Sequence, residues 1–298
     1  MSRVGIASLV SIRGDGSLDE RELVRAVVGR AIAASGVTRA QIGATVSASN
    51  DLVVGMPFSF VGPLDVIGAW PPISESHVET DGIFALWEAW LRLTIGDLDA
   101  ALVYAFGRGS AGDQGKVSAL ALDPILTAPL APDASVLERL QLQAAADAGV
   151  LDAVDVPTGP SPPAVDGAVA MVLVREPLRA RAWITGFDQR IDHASVGWRD
   201  LVGLPHVRAA GGGAGMGAAE RIVLSAPWIG QAALVADALG APRRAVRLLD
   251  GPVAPMAAGL DAVGAALRWI DDGARVVGVI GSAGPALQHV AALTLEAP

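Results

Sequence analysis

An α/β protein built from layers, with mainly parallel strands inside, is predicted by three observations. Short β-branched runs alternate with amphipathic stretches of 12 to 18 residues, and a helix-strand-loop unit recurs at an offset of 174 residues. A chain of 298 residues, 52% of them hydrophobic, also has ample apolar surface for a large core, since chains of this size bury about 75% of their unfolded surface.

The elements follow in order. Val4 to Ser11 reads as a strand, and the first helix opens at Ser17, where Glu20 three residues on completes a capping box. Leu23, Val24, Val27, Val28, Ala31 and Ile32 form its apolar stripe, and Gly36 closes it. Strands are expected at Ala44 to Ser49, Ala100 to Gly107, Lys116 to Leu122, Ala168 to Val174, Ala182 to Asp188, Arg221 to Ser225, Ala245 to Leu249, Arg275 to Ile280 and Ala291 to Glu296. Further helices are expected at Gly82 to Ile95, Leu137 to Ala148, Ile229 to Leu239 and Met256 to Asp271. The echo lays residues 90–112 over 264–286: each is a helix ending in an acidic turn, then a buried strand, then a Gly/Ser loop. The chain therefore divides into halves at 1–122 and 165–298. Between them, residues 108–165 lose regular patterning and end in PTGPSPP, Pro157 to Pro163, which reads as an inserted loop region with a turn-rich linker.

Composition excludes several chemistries. The formal net charge is −9, with 31 acids against 22 bases and no Lys/Arg run, so nothing here neutralises nucleic-acid phosphates. No cysteine is present, which removes disulfides, thiolate metal sites and cysteine nucleophiles together. Lys116 is the one lysine, so any Schiff-base chemistry rests on it. The four histidines have no metal-ligand spacing, and no metal is expected. GGGAGMG, residues 211–217, misses the spacing of a dinucleotide loop and reads as a flexible loop. Met1 leads directly into an apolar strand without a signal-peptide pattern, and no apolar run reaches the length of a membrane span, so a cytoplasmic location is expected.

The two-half pattern, the echo and three strings resemble the thiolase superfamily, and within it the lipid-transfer-protein (SCP2-thiolase-like) branch. The strings are SHVETDGIFALWEAWLRLTIGDLDAALVYAFGRGSAG at residues 76–112, SAPWIGQAALVADALG and SAGPALQHVAAL. The resemblance implies a five-layer α/β/α/β/α sandwich of two duplicated βαβαβαββ halves with their central helices enclosed. It also implies a CoA thioester as ligand and no other cofactor. Its implied partners are a thiolase-like paralogue, or a second copy in a dimer formed through residues 70–95 around the strand Ile73 to Glu79, and an OB-fold acyl-CoA-binding protein.

What that family's chemistry requires is missing here. Its nucleophilic cysteine sits at a helix N-terminus, where the dipole lowers the thiol pKa. In VETDG, Asp81 stands at or beside that place, a good cap and a poor nucleophile. Ser225 in SAPW stands where the branch often has histidine, no histidine lies near residues 255–259, and Ala286 in SAGPALQ stands where a second cysteine is usual, followed by Gln288. His77 precedes the vestigial elbow as a candidate base, or as a half-buried histidine satisfied by Glu75 or Glu79. Arg108 and Ser110, beginning the loop after a buried strand, with Trp228 and His289, are the candidate substrate contacts. Tyr104 reads as a packed core phenol. Trp87 and Trp90, spaced i, i+3, read as a core or subunit-interface face.

The expected function is thus a non-catalytic thiolase-fold subunit of an acyl-CoA-processing complex, serving sterol side-chain or fatty acyl-CoA degradation. The alternatives are an acyltransferase or retro-aldolase with a remade site at Asp81 or His77, and a lipid-transfer module holding an acyl-chain or sterol thioester.

Overall fold

A computed structural model describes residues 2–67, 74–129, 133–159 and 163–298. Its strands are β1 Val4–Gly14, β2 Ala44–Ala48, β3 Ser74–Val78, β4 Ala100–Arg108, β5 Asp166–Arg175, β6 Ala182–Ile191, β7 Arg221–Leu224, β8 Val246–Leu248, β9 Val276–Ala283 and β10 His289–Glu296. Its helices are α1 Glu20–Ser35, α2 Asp51–Val54, α3 Val61–Ile67, α4 Gly82–Thr94, α5 Gln114–Leu120, α6 Ser135–Asp147, α7 Pro205–Gly213, α8 Ile229–Leu239 and α9 Ala258–Asp271.

The strand order β3-β2-β4-β5-β1-β6-β10-β9-β7-β8 makes the duplication explicit. Numbering each half from its own first strand gives 3-2-4-5-1 twice, the second copy running outward from the junction in reverse. The halves join where Val4, Gly5 and Ile6 of β1 pair antiparallel with Ile184, Trp183 and Ala182 of β6. Beyond Ile6 the two strands separate and each sheet goes its own way. The sheets are mixed, not mainly parallel as the sequence suggested. β2 pairs in parallel with β3 and β4, and β7 with β8 and β9, while β1, β5, β6 and β10 pair antiparallel. Each half ends in an antiparallel strand, which a helix-strand alternation does not reveal.

Five layers result, as the duplicated-half expectation required. The central core lies between the sheets and takes Ile83, Leu86 and Leu93 of α4 with Leu260, Val263 and Leu267 of α9, packed against inward residues of both. Outside the N-terminal sheet, α1 buries Leu23, Val24, Val27, Val28 and Ala31. Outside the C-terminal sheet, α7 and α8 do the same with Val207, Leu234 and Val235.

Three local expectations are corrected. The capping box of α1 is Asp19 with Glu22, not Ser17 with Glu20, because Ser17 is held in a turn by Asp15 and the same spacing recurs two residues on. The expected strand Lys116 to Leu122 is the helix α5: Asp113 caps it by accepting from Lys116 N, and only Val117 among its residues is β-branched. The glycine run at 211–217 is not a flexible loop. Its first three residues finish α7 and a 3₁₀ turn follows at Met216–Ala218. A Cβ at Gly211 would collide with Leu239 and one at Gly213 with Asp188, so these glycines serve close packing.

Of the irregular stretch 108–165, residues 130–132 and 160–162 of the Pro-rich linker lie outside the described residues. The rest contains α5 and α6, and α6 docks on the C-terminal half through Leu142 and Ala145.

Candidate functional site

The elbow forms where the N-termini of α4 and α9 meet in the middle layer. Asp81 is the N-cap of α4, with extended backbone, and accepts from Ile83 N at 2.9 Å. Its two oxygens also accept from Gly259 N, in the first turn of α9, at 3.1 and 3.0 Å. In return Gly82 N donates to Met256 O at 2.7 Å. One carboxyl group therefore satisfies orphan N–H groups of both central helices. Gly259 is required here, since a Cβ would overlap Asp81 Oδ1 and Ile83. Burial pushes the Asp81 carboxyl up to about 7, its hydrogen bonds from Ile83 and Gly259 pull it back, and the nearby Asp261 carboxyl adds a smaller upward push.

Around this point the C-terminal half supplies its loops. His289 packs against Phe84, in the first turn of α4, with ring centroids 3.9 Å apart and the planes tilted by 32°, and its Nε2 lies 3.0 Å from Gln189 Oε1. Burial depresses its pKa, which favours a neutral ring. Ser225 is buried at the end of β7, where its carbonyl accepts from Ser282 Oγ at 2.6 Å. The β9–β10 turn is strained: Ala286 and Leu287 both have left-handed backbones, at φ 56° and 57°. Three side chains hold its carbonyls. Arg199 donates to Pro285 O, Gln141 to Ala286 O, and His206 Nε2 lies 2.8 Å from Leu287 O. Gln288 O accepts from Asp192 N. The structure thus sets His289 against the first turn of α4, which Asp81 caps, while Ser225 follows β7 and Ala286 and Gln288 lie in the β9–β10 turn.

The remaining candidates sit elsewhere. His77 faces the outer side of the N-terminal sheet, stacked on Phe60, with Nδ1 2.9 Å from Ser47 Oγ and Nε2 3.3 Å from Glu79 Oε1. Tyr104 lies on that same outer face, fully buried, and burial raises its pKa. Arg108 and Ser110 converge on buried Asp166: Ser110 N and Oγ each donate to it at 2.8 Å, and Arg108 Nε at 3.4 Å. Trp228 caps α8 and donates its Nε1 to Glu138 at 3.0 Å, where burial pushes the Glu138 carboxyl up to about 7. Trp87 and Trp90 pack inward on Phe187, at centroid distances of 5.0 and 5.6 Å. Residues 70–73 of the expected interface lie outside the described residues.

Sequence reading missed Asp261, Glu138 and Gly259. A signal for the first was present: in AGLDAVGAALR an acid stands alone in an apolar helix, with glycine three and arginine seven residues on, all along one side.

No family model matches the chain, and no curated protein matches it. Solved structures do. Human mitochondrial 3-ketoacyl-CoA thiolase in complex with CoA aligns with a TM-score of 0.73 at 12% identity, covering 100% of this chain and 98% of that one. The Bacillus anthracis acetyl-CoA acetyltransferase aligns with a TM-score of 0.70 at 14% identity, covering 100% and 99%. At such identities the likeness shows the fold, and the chain has the thiolase fold over its whole length. Among the described residues, no helix is long and apolar enough to cross a membrane.

Proposed function

We propose that this chain is a non-catalytic thiolase-fold subunit that pairs with a catalytic thiolase-fold chain handling acyl-CoA. One observation carries the reading. The group at the elbow is a buried carboxyl that accepts from Ile83 N and Gly259 N, in a sequence without any thiol. Both Asp81 oxygens are held by amides at two helix ends, which makes the group a cap and a weak nucleophile toward a thioester. The absence of a histidine at Ser225 and at residues 255–259 removes the usual proton carriers as well. Pairing draws support from β3, which among the described residues is a terminal strand in the sheet order, the kind of edge along which a second chain can add a strand.

A remade acid/base site is the competing reading, because a carboxyl shifted to about 7 is poised for proton transfer near neutrality. Incubating the chain alone, and with a thiolase-fold chain from its host, with β-ketoacyl- and β-hydroxyacyl-CoA thioesters separates the two. No turnover and no acyl-enzyme are expected from the chain alone. Turnover by it, lost in a still-folded Asp81→Ala variant, overturns the non-catalytic reading. Light scattering showing a monomer both alone and in the mixture overturns the pairing.

A further inference from the structure

The two halves of the duplicated fold treat an equivalent space in opposite ways. Where β1 and β6 part, each central helix leans on the first strand of the other half. On the α4 side that wedge is filled: Trp87, Trp90 and Phe187 of β6 form one aromatic cluster. On the α9 side it stays open, as a hollow of about 280 Å3 lined by Ser11, Ile12, Arg13, Leu249, Asp250, Asp261 and Arg268.

Two cations line this hollow, Arg13 from β1 and Arg268 from α9. Each guanidinium lies against a backbone without a side chain. A Cβ on Gly251 would stand 3.5 Å from Arg13 Nη1, and one on Gly264 would stand 3.9 Å from Arg268 Nη1. Arg268 therefore lies back along α9 over Gly264 while remaining exposed to solvent. Asp261 is a buried base to the hollow, with Oδ1 taken by Ser11 Oγ at 2.6 Å. Its carboxyl is raised by burial, although the Ser11 bond and the two arginines act against that rise. Neither guanidinium comes within ion-pair distance of Asp261 or of the exposed rim residue Asp250. A larger hollow, about 540 Å3 near Asp99 and Glu176, differs in this respect, because its arginine, Arg175, is paired with Asp99.

We propose that the β1–α9 hollow binds a small oxyanion, the phosphate or carboxylate head of a ligand, between Arg13 and Arg268. Two planar guanidiniums lining one hollow supply forked N–H donors that match the oxygens of such a head, which the surrounding carboxyls alone would repel. The proposal is independent of the subunit reading given above.

Calorimetric titration of the whole chain with inorganic phosphate, and separately with malonate, at ionic strength held constant with chloride, tests it. Saturable binding of at least one anion is expected, and the anion that saturates identifies the head group. Arg13→Gln and Arg268→Gln should each weaken it at least tenfold, while Arg25→Gln, at an exposed position on α1, should leave it unchanged. Both variants alter exposed side chains, and circular dichroism and Tm confirm that they fold. Absence of saturable binding by either anion overturns the proposal, as does affinity within twofold of the parent in both hollow variants.

Discussion

The two central helices occupy equivalent places in the two halves, yet their N-termini and flanks are built from different chemistry. α4 begins at Asp81, an extended N-cap with a bonding carboxylate, and rests its flank on the aromatic cluster with Phe187. α9 follows Ala257, which has helical backbone, φ −102° and ψ −6°, and no side-chain cap; its Gly259 N–H is satisfied only by Asp81 from the other helix. Its flank faces Ser11, Arg13 and the open hollow. Duplication has kept the strand order while concentrating the helix-end bonding on one half and leaving space in the other. The difference shows that a shared fold constrains where groups stand, not what they do.

The largest effect expected from this contrast is at the filled wedge. Phe187 is 5% exposed and touches both tryptophans, so Phe187→Ala should destabilise the chain by about 3–5 kcal/mol, the usual cost of an aromatic core deletion. On the open side, Ser11→Ala removes one hydrogen bond to Asp261 and should cost only about 1 kcal/mol. Urea unfolding of both variants measures the pair. Equal losses would mean that the two wedges contribute alike and would break the comparison.

Asp81 comes next. Asp81→Ala leaves Ile83 N and Gly259 N buried without an acceptor, which at about 1–3 kcal/mol each predicts a loss of about 2–4 kcal/mol after partial relaxation. The same group gives a pH signature. Its folded pKa, about 7, is above the ordinary aspartate value of 3.8, so between those values the folded state binds more protons than the unfolded one. Stability from this group is therefore greatest at low pH and is lost as pH rises toward 7, at up to about 1.4 kcal/mol per unit. Glu138, also near 7, adds a slope of the same sign, so the informative quantity is the difference between the parent and Asp81→Asn. That difference should be a shallower decline between pH 4 and 7 in the variant, measured by unfolding across pH. Parallel curves would show that the carboxyl titrates as an ordinary exposed acid.

Legibility in the sequence follows how local each interaction is. α1, α4, α8 and the strands other than β3 were readable because their apolar periodicity and caps lie within a few residues; Ile229–Leu239 matches its expected bounds at both ends. β3 was placed only through the family resemblance, since SESHV carries no apolar alternation. α5 misled because a seven-residue element holds too little periodicity to separate strand from helix. Asp81 was legible as a helix cap from VETDG, but its second partner, Gly259, is 178 residues away and leaves no local mark. His77 illustrates the reverse. Its position beside the elbow in sequence suggested a shared site, whereas strand alternation turns its ring to the outer face, with Ser47 and Phe60.

The sign of one further effect is the most discriminating test of the shared cap. Placing an acid before a helix ordinarily stabilises it, by about 0.5–2 kcal/mol through N-cap bonding and a further 0.3–1 kcal/mol through the helix dipole. At Ala257 both gains should fail. An N-cap side chain reaches the N2 or N3 amide from extended backbone, and residue 257 is helical, so its side chain points away from those donors. The amide it would serve, Gly259 N, is already held by Asp81, and a new carboxylate there would stand close to both Asp81 and Asp261. Ala257 is also fully buried in the central core, so Ala257→Asp should bring no gain and should cost at least about 1–3 kcal/mol in urea unfolding at pH 7, the penalty of a buried carboxyl without a partner. A gain of 1 kcal/mol or more would mean that α9 has an unfilled cap of its own, and that Asp81 serves α4 alone.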